Sequence, residues 1–311
     1  RDRSPSRGLG DVYKRQANKL VDGPYGGGNQ FLKSLRDQFK EMDLYCRNPM
    51  KATVVLFNSH QNFGEVLCLK RNNPKAVFVH RLDGPMRLYN NLNDSRDATA
   101  YQMNNAFADA IVFQSHWSKQ ANVELGLNIE NKEHAVIHNA TQQRFFARNK
   151  GKLKRDKVRL IASSWSDNIK KGFLAYDYLD KNLDFNKYEF VFMGRSPIQF
   201  NNIQHLGVLN TENVVKELAQ SDIYITASEN DPCSNSLIEA LSVGLPALAL
   251  NSGGHLELVK DGGLFFENKE EIINKLSEIC DNYTKIKNQI CIKNIQQTAE
   301  QYVAFFNKIG H

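Results

Sequence analysis

The stretch Ala227–Gly254, ASENDPCSNSLIEALSVGLPALALNSGG, decides the fold. Just before it, Asp222–Thr226 is a short apolar run, as in a strand covered on both faces of a parallel sheet. A loop through Pro232, Cys233 and Ser234 then enters a helix predicted over Asn235–Val243, with Leu237, Ala240, Leu241 and Gly244 marking its buried face. Pro246–Leu250 reads as the next strand. Doubly wound sheets of this kind bind ligands at the carboxyl ends of their strands. Asp231 and Glu239 stand eight residues apart across the helix mouth. Side chains on a helix lean toward its N-terminus, so Glu239 points back at that mouth. The free amides and the positive dipole end there suit a phosphate, and a carboxylate beside it suits paired sugar hydroxyls. The plainer alternative is that Asp231 caps the helix and Glu239 is a solvated charge.

The same strand–helix rhythm runs outward in both directions. Toward the C-terminus, Lys269–Asp281 is helical and a long helical tract over about 283–309 carries Tyr302, Phe305 and Phe306. Toward the N-terminus, strands are predicted at Tyr188–Met193 and Val158–Ser163, with helices at Glu212–Ala219 and Phe173–Leu183. The polar, basic run 148–157 (RNKGKLKRDK) lacks apolar periodicity and reads as a linker. Before it, strands are predicted at Thr53–Phe57, Ala76–His80, Ala110–Gln114 and Ala135–His138, with helices at Arg87–Phe107 and Trp117–Leu125. Gly23–Gly28 is a glycine-rich turn, and Phe31, Leu35, Phe39 and Met42 follow it at helical spacing. A strand belongs before that turn, and only Ala17–Val21 is available for it. The chain therefore reads as α/β, with two doubly wound Rossmann-like domains, 17–147 and 158–288, facing across a cleft. Residues 289–311 are expected to form a helix that crosses back to the first domain.

The chain has 311 residues, 41% hydrophobic and 24% charged, the balance of a folded globular protein. Collagen-like, mucin-like and mainly disordered classes are excluded. Five scattered cysteines without a Cys-x-x-Cys pair exclude a disulfide scaffold and give no structural zinc motif. No apolar run reaches the roughly 18 residues of a membrane span. The cytoplasm is the expected compartment, with peripheral contact at the inner membrane face as a second expectation. Half of the net charge of +6 falls in residues 1–16 (RDRSPSRGLGDVYKRQ). This segment has neither the apolar core of a signal peptide nor a packing pattern. It is expected to be a non-native or disordered leader, joined to a first domain that lacks the start of its opening strand. The charge that remains gives no argument for nucleic acid as a partner.

Other residues compete for a role. His80 and Asp83 follow a strand and are placed to orient an acceptor hydroxyl or relay its proton. The alternative is a buried, hydrogen-bonded His80 with Asp83 opening a turn, and the functional assignment is favoured. Gly27 and Gly28 can cradle a phosphate, but no P-loop or dinucleotide fingerprint is present. His60, His116, His134 and His205 have no partners at metal spacing, and Ser115-His116 lacks a nucleophile elbow. No metal or other cofactor is expected.

Several stretches resemble, in order, the retaining glycosyltransferases of family 4, which have the GT-B fold. GPYGGGNQF (23–31) resembles their N-terminal glycine loop. AVIHNATQQRFF (135–146) is similar to the end of their first domain, and KKGF (170–173) to their K-G motif. VFMGR (191–195) and ELAQSDIYITAS (217–228) resemble the strands that lead to the acidic E-x7-E motif. LNSGGHLELVKDGG (250–263) resembles the loop after it. The resemblance runs from about residue 20 to the C-terminus. It departs at Asp231, which replaces the first glutamate, and at Ser164-Trp165, which replace a glycine-arginine pair. Lys170 is the candidate substitute for that arginine. The resemblance implies transfer of a hexose from a nucleotide-diphosphate sugar to a sugar or lipid-linked acceptor, with retention and without a metal. Lys171 would contact the diphosphate, Glu239 the ribose hydroxyls and Asp231 the donor sugar. Ser234, Asn235 and Ser236 would offer amides or hydroxyls to the phosphates. The alternatives are a nucleotide-sugar 2-epimerase on the same fold and a non-catalytic nucleotide-sugar binder.

Overall fold

The continuous apolar runs become the strands of two parallel sheets. The computed structural model describes residues 27–90, 93–146 and 156–310, together with the backbone of 14–16. The first half contains β1 (Lys14–Gln16), α1 (Gly27–Glu41), β2 (Val54–Asn58), α2 (Phe63–Asn72), β3 (Val77–Leu82), α3 (Met86–Tyr89), α4 (Arg96–Phe107), β4 (Ala110–Phe113), α5 (His116–Glu124) and β5 (Glu133–Val136). The second opens with β6 (Val158–Ser164), α6 (Phe173–Asn182), β7 (Tyr188–Gly194), β8 (Gln204–His205), α7 (Thr211–Ala219), β9 (Ile223–Thr226) and α8 (Asn235–Val243). It continues through β10 (Ala247–Leu250), α9 (His255–Val259), β11 (Gly263–Phe266), α10 (Ile272–Asp281), α11 (Tyr283–Asn288) and α12 (Ile295–Ile309). The sheet orders are β1-β2-β3-β4-β5 and β11-β10-β9-β6-β7-β8, and every pairing is parallel. The expected fold class, α/β with two Rossmann-like domains, is the one observed.

Strand alternation sorts the first core into two faces. Val54, Leu56 and Val79 pack with Phe31, Leu35 and Phe39 of α1, whereas Val55, Phe57 and Phe78 pack with Val66 of α2 and Met103 of α4. The α1 face is completed by Ala299, Tyr302 and Phe306 of α12, which pack against α1 and the first sheet. Full burial of a side chain such as Phe306 contributes roughly 1.5–3 kcal/mol. In the second domain, Leu160 and Ala162 face Phe173 and Leu179 of α6, and Ile161 faces Leu237 and Leu241 of α8.

Three features differ from expectation, and two expected ones lie outside the described residues. The strand Lys14–Gln16 pairs with Val54–Leu56, so the end of the segment read as an unpacked leader belongs to the first sheet. The strand expected at 17–21, and the linker at 148–157 as far as residue 155, lie outside the described residues. The helix expected over Arg87–Phe107 is two helices. The Asp97 carboxylate accepts from the amides of Met86 (2.7 Å) and Arg87 (3.0 Å), anchoring α3 as a separate turn. The C-terminal tract is likewise broken, because Asn294 and Gln297 form a reciprocal capping box that starts α12 afresh.

Candidate functional site

The carboxyl ends of β3, β6, β7 and β9 border one cavity of about 430 Å³ between the domains. Its first-domain wall includes Gly27, Gly28, Asp83 and Tyr89, and its second-domain wall Lys171, Asp231, Ser234, Asn235, Ser236 and Glu239. Two helices open onto it. Gly27 starts α1, and a Cβ there would lie 2.6 Å from the Cβ of Asn235, the first residue of α8. Only glycine permits the two helix N-termini to come this close. Ser234 caps α8, its Oγ accepting from the Leu237 amide and lying 3.2 Å from the Ser236 Oγ.

Lys171 and Asp231 meet at 2.8 Å. Gly172, which ends the lysine turn, has φ +95° and lies so close to Ala227 that a Cβ would reach 2.5 Å from the alanine Cβ. That contact seats the lysine turn against the loop carrying Asp231. Burial opposes the Lys171 ammonium, but Asp231 and then Tyr89 outweigh it, and its pKa lies above the ordinary lysine value. Burial would likewise raise Asp231, but Lys171 and His255 hold its carboxyl below the ordinary aspartate value. His255 is itself buried, its Nδ1 bonding the Leu250 carbonyl at 2.9 Å. Glu239 differs from both. No described residue donates a hydrogen bond to it, and burial alone pushes its pKa up to about 7. Beside it, the Tyr224 hydroxyl pairs with the Ser163 Oγ at 3.0 Å.

On the first-domain wall the carboxylate of Asp83 accepts from Arg81 Nη1 (3.2 Å), from Asn58 Nδ2 (3.3 Å) and from Gln114. Arg81 is fully buried and also donates to Asn58 and, at 2.6 Å, to Asn139 Oδ1. Asn139 in turn donates to Asn235 Oδ1 at 3.2 Å, joining this network to the start of α8.

Two expected residues are not in the cavity wall. His80 lies on the same face of β3 as Phe78 and points into the core. Its ring stacks on Phe57 (4.3 Å), Asn104 donates to its Nδ1 (3.1 Å) and its Nε2 bonds the Ser59 carbonyl (2.9 Å). Burial pulls its pKa down to about 3, so it is a neutral structural histidine and not an acceptor-side base. Lys170 is also corrected: its ammonium donates to the Leu88 carbonyl of α3 at 2.8 Å, away from the wall. Trp165, at the position of the missing arginine, lines the cavity with the Arg195 guanidinium 4.8 Å from its ring centre.

Sequence reasoning assigned nothing to Arg81, Gln114, Tyr89 or Glu257. Glu257 of α9 accepts from the amides of His116 and Trp117, both at 2.9 Å, and from His138 Nε2 at 3.1 Å. A carboxylate of the second domain thus caps α5 of the first. Among the described residues, no group of three His, Cys, Asp or Glu side chains could hold a metal ion, and no helix is long and apolar enough to cross a membrane.

Two Rossmann-like domains with the cavity between them define the GT-B fold. Anabaena HepE in complex with UDP and glucose superimposes with a TM-score of 0.68 at 15% identity, covering 96% of this chain and 97% of that one. Residues 198–298 match the family described as Glycosyl transferases group 1. The chain is 25% identical over 228 residues to the uncharacterized protein 356 of Sulfolobus islandicus rod-shaped virus 1, covering 60% of this chain and 63% of that protein. It is 27% identical over 112 residues to the O-antigen biosynthesis glycosyltransferase WbnH of Escherichia coli, covering 36% and 33%. The chain therefore spans less than two thirds of the curated relatives it matches.

Proposed function

We propose that the protein is a glycosyltransferase that moves a hexose from a nucleotide-diphosphate sugar to a sugar or lipid-linked acceptor. One observation carries this: the Lys171–Asp231 pair, two helix N-termini and the unpartnered Glu239 meet at one cavity. The match of residues 198–298 to glycosyltransferases, and the likeness to a structure holding UDP, support it. In this reading Glu239 accepts from both ribose hydroxyls. The amides of Asn235 and Ser236, with the Ser234 hydroxyl, face the diphosphate, and the α1 start at Gly27 and Gly28 approaches it from the other wall. Lys171 leaves Asp231 for the diphosphate, whose negative charge grows as the glycosidic bond breaks. Asp231 is then free for a donor-sugar hydroxyl. Asp83, held by three donors, orients the acceptor hydroxyl. The charge on Lys171 serves where other transferases use a metal, so activity is expected to survive a chelator. Retention of configuration and a cytoplasmic site of action complete the proposal.

The test is product analysis with labelled UDP-, GDP- and ADP-hexoses, with and without sugar and lipid-linked acceptors, and NMR of the product anomer. Transfer with retention is expected. Epimerised donor without acceptor, or nucleotide binding without any product, overturns the proposal.

A further inference from the structure

The lysine pair of the K-G turn divides in two directions, and the second direction has a structural purpose. The short helix α3 is one turn, and a helix of four residues is not stable alone. Its start is anchored within its own domain by Asp97. Its end is not. The chain leaves the helix at Asn90, and the Leu88 and Tyr89 carbonyls have no further turn to bond.

Three side chains of the second domain take those carbonyls. Lys170 Nζ donates to Leu88 O at 2.8 Å, Asn230 Nδ2 to the same oxygen at 3.3 Å, and Asn168 Nδ2 to Tyr89 O at 3.1 Å. A cation at a helix C-terminus also opposes the negative end of the peptide dipoles. The direction of Lys170 is built into the backbone. Its amide donates to Asn168 Oδ1 at 3.0 Å, and its carbonyl accepts from the Glu229 amide at 2.8 Å. The last side chain of the clamped turn, Tyr89, then stands with its ring centre 4.8 Å from Lys171 Nζ and lines the cavity.

We infer that α3 is a clamp through which the first domain sets the position of Lys171, with Tyr89 as the group that touches the lysine. Lys170, Asn168 and Asn230 act as positioning residues that hold α3 in place. This rests on the reading of Lys171 given above. It means that the lysine has its full set of neighbours only while the two domains are together, which couples readiness for transfer to closure of the cleft. One lysine of the pair faces the ligand and the other holds the frame.

The experiment compares Lys170→Met and Lys170→Arg with wild type by hydrogen–deuterium exchange and by steady-state transfer kinetics. In Lys170→Met, exchange over residues 86–90 rises about tenfold or more, with little change over α4. A misplacement of this size lowers turnover roughly ten- to a hundredfold, with the donor KM altered less than about threefold. Lys170→Arg, which keeps the cation, restores most of both. Unchanged exchange in Lys170→Met overturns the clamp. So does loosened exchange with turnover intact, and so does a donor KM that rises as far as in Lys171→Ala, which would make Lys170 a donor ligand. Exchange needs no donor. If wild type transfers nothing, the proposed function fails while exchange alone still decides the clamp.

Discussion

On the first-domain wall of the cavity, Asp83 accepts from Arg81, Asn58 and Gln114, and Arg81 reaches on to Asn139. On the second-domain wall, Glu239 accepts from no described residue, while Lys171 and Asp231 hold each other. Both walls are charged and shielded from solvent, yet Asp83 is held by three donors and Glu239 by none among the described residues. A saturated buried network fixes geometry and contributes to stability. A desolvated carboxylate without donors is poised for a ligand, at a cost to stability. Burial alone raises the pKa of Glu239, as expected of a carboxylate in that state.

Substitutions can break this contrast. The largest effect is expected at Arg81. Arg81→Met takes the guanidinium from Asp83 and from Asn139 Oδ1, leaving Asp83 to Asn58 and Gln114 alone, and breaking a buried ion pair costs about 3–5 kcal/mol. Denaturant unfolding checks it, and an unchanged midpoint would show that the first wall is no more structural than the second. Lys171→Ala comes next. Loss of a charge aimed at the leaving group should lower turnover roughly 10²- to 10³-fold, more than it raises the donor KM. Kinetics with and without a chelator test this, and normal turnover, or wild-type activity abolished by chelation, rejects the role.

Glu239→Gln should weaken nucleotide binding about 10- to 100-fold, because hydrogen bonds to a charged acceptor are lost. Calorimetric titration reads this directly. The pH dependence sharpens it. Glu239 has its folded pKa at about 7, above the usual 4.5, so the folded protein holds the extra proton between those values. The empty protein therefore loses stability as pH rises through that window. Nucleotide affinity should do the opposite, rising about tenfold from about pH 6 to about pH 8 as the carboxylate ionises. Glu239→Gln should flatten that rise, and an equal rise in both proteins excludes the ribose role. The smallest effect on activity is expected at His80. His80→Asn should lower the melting temperature but leave kcat/KM per folded molecule unchanged. A loss of turnover at full folding would return His80 to the chemistry.

Much of the second wall was legible because its residues lie in one continuous stretch. Asp231, Ser234 and Glu239 are ordered by a single loop and helix, so periodicity alone places them together. Lys171 needed the resemblance, since a lysine pair carries no direction of its own. The first wall was harder. The run His80-Arg81-Leu82-Asp83 alternates faces, and only knowledge of which face meets α2 and α4 tells that His80 joins Phe78 in the core. Arg81 carries no signal in the sequence, because a fully buried arginine is rare and its partners Asn58 and Asn139 are far away along the chain. The breaks before α4 and α12 depend on single carboxylate or amide caps, Asp97 and Asn294, which leave the hydrophobic periodicity nearly unchanged. The expectation at residues 1–16 came from composition, which says nothing about three backbone residues adding to a sheet edge.

The return of α12 to the first domain has a consequence for how the chain is made. Phe31, Leu35 and Phe39 emerge from the ribosome before the second domain, but Tyr302 and Phe306, which close over them, emerge after it. Until then the second domain can fold on contacts of its own, while the first keeps an uncovered apolar face. Vectorial synthesis therefore completes the later domain before the earlier one. A nascent chain arrested before residue 289 should bind an apolar dye through that face, and release of the last helix should abolish the binding.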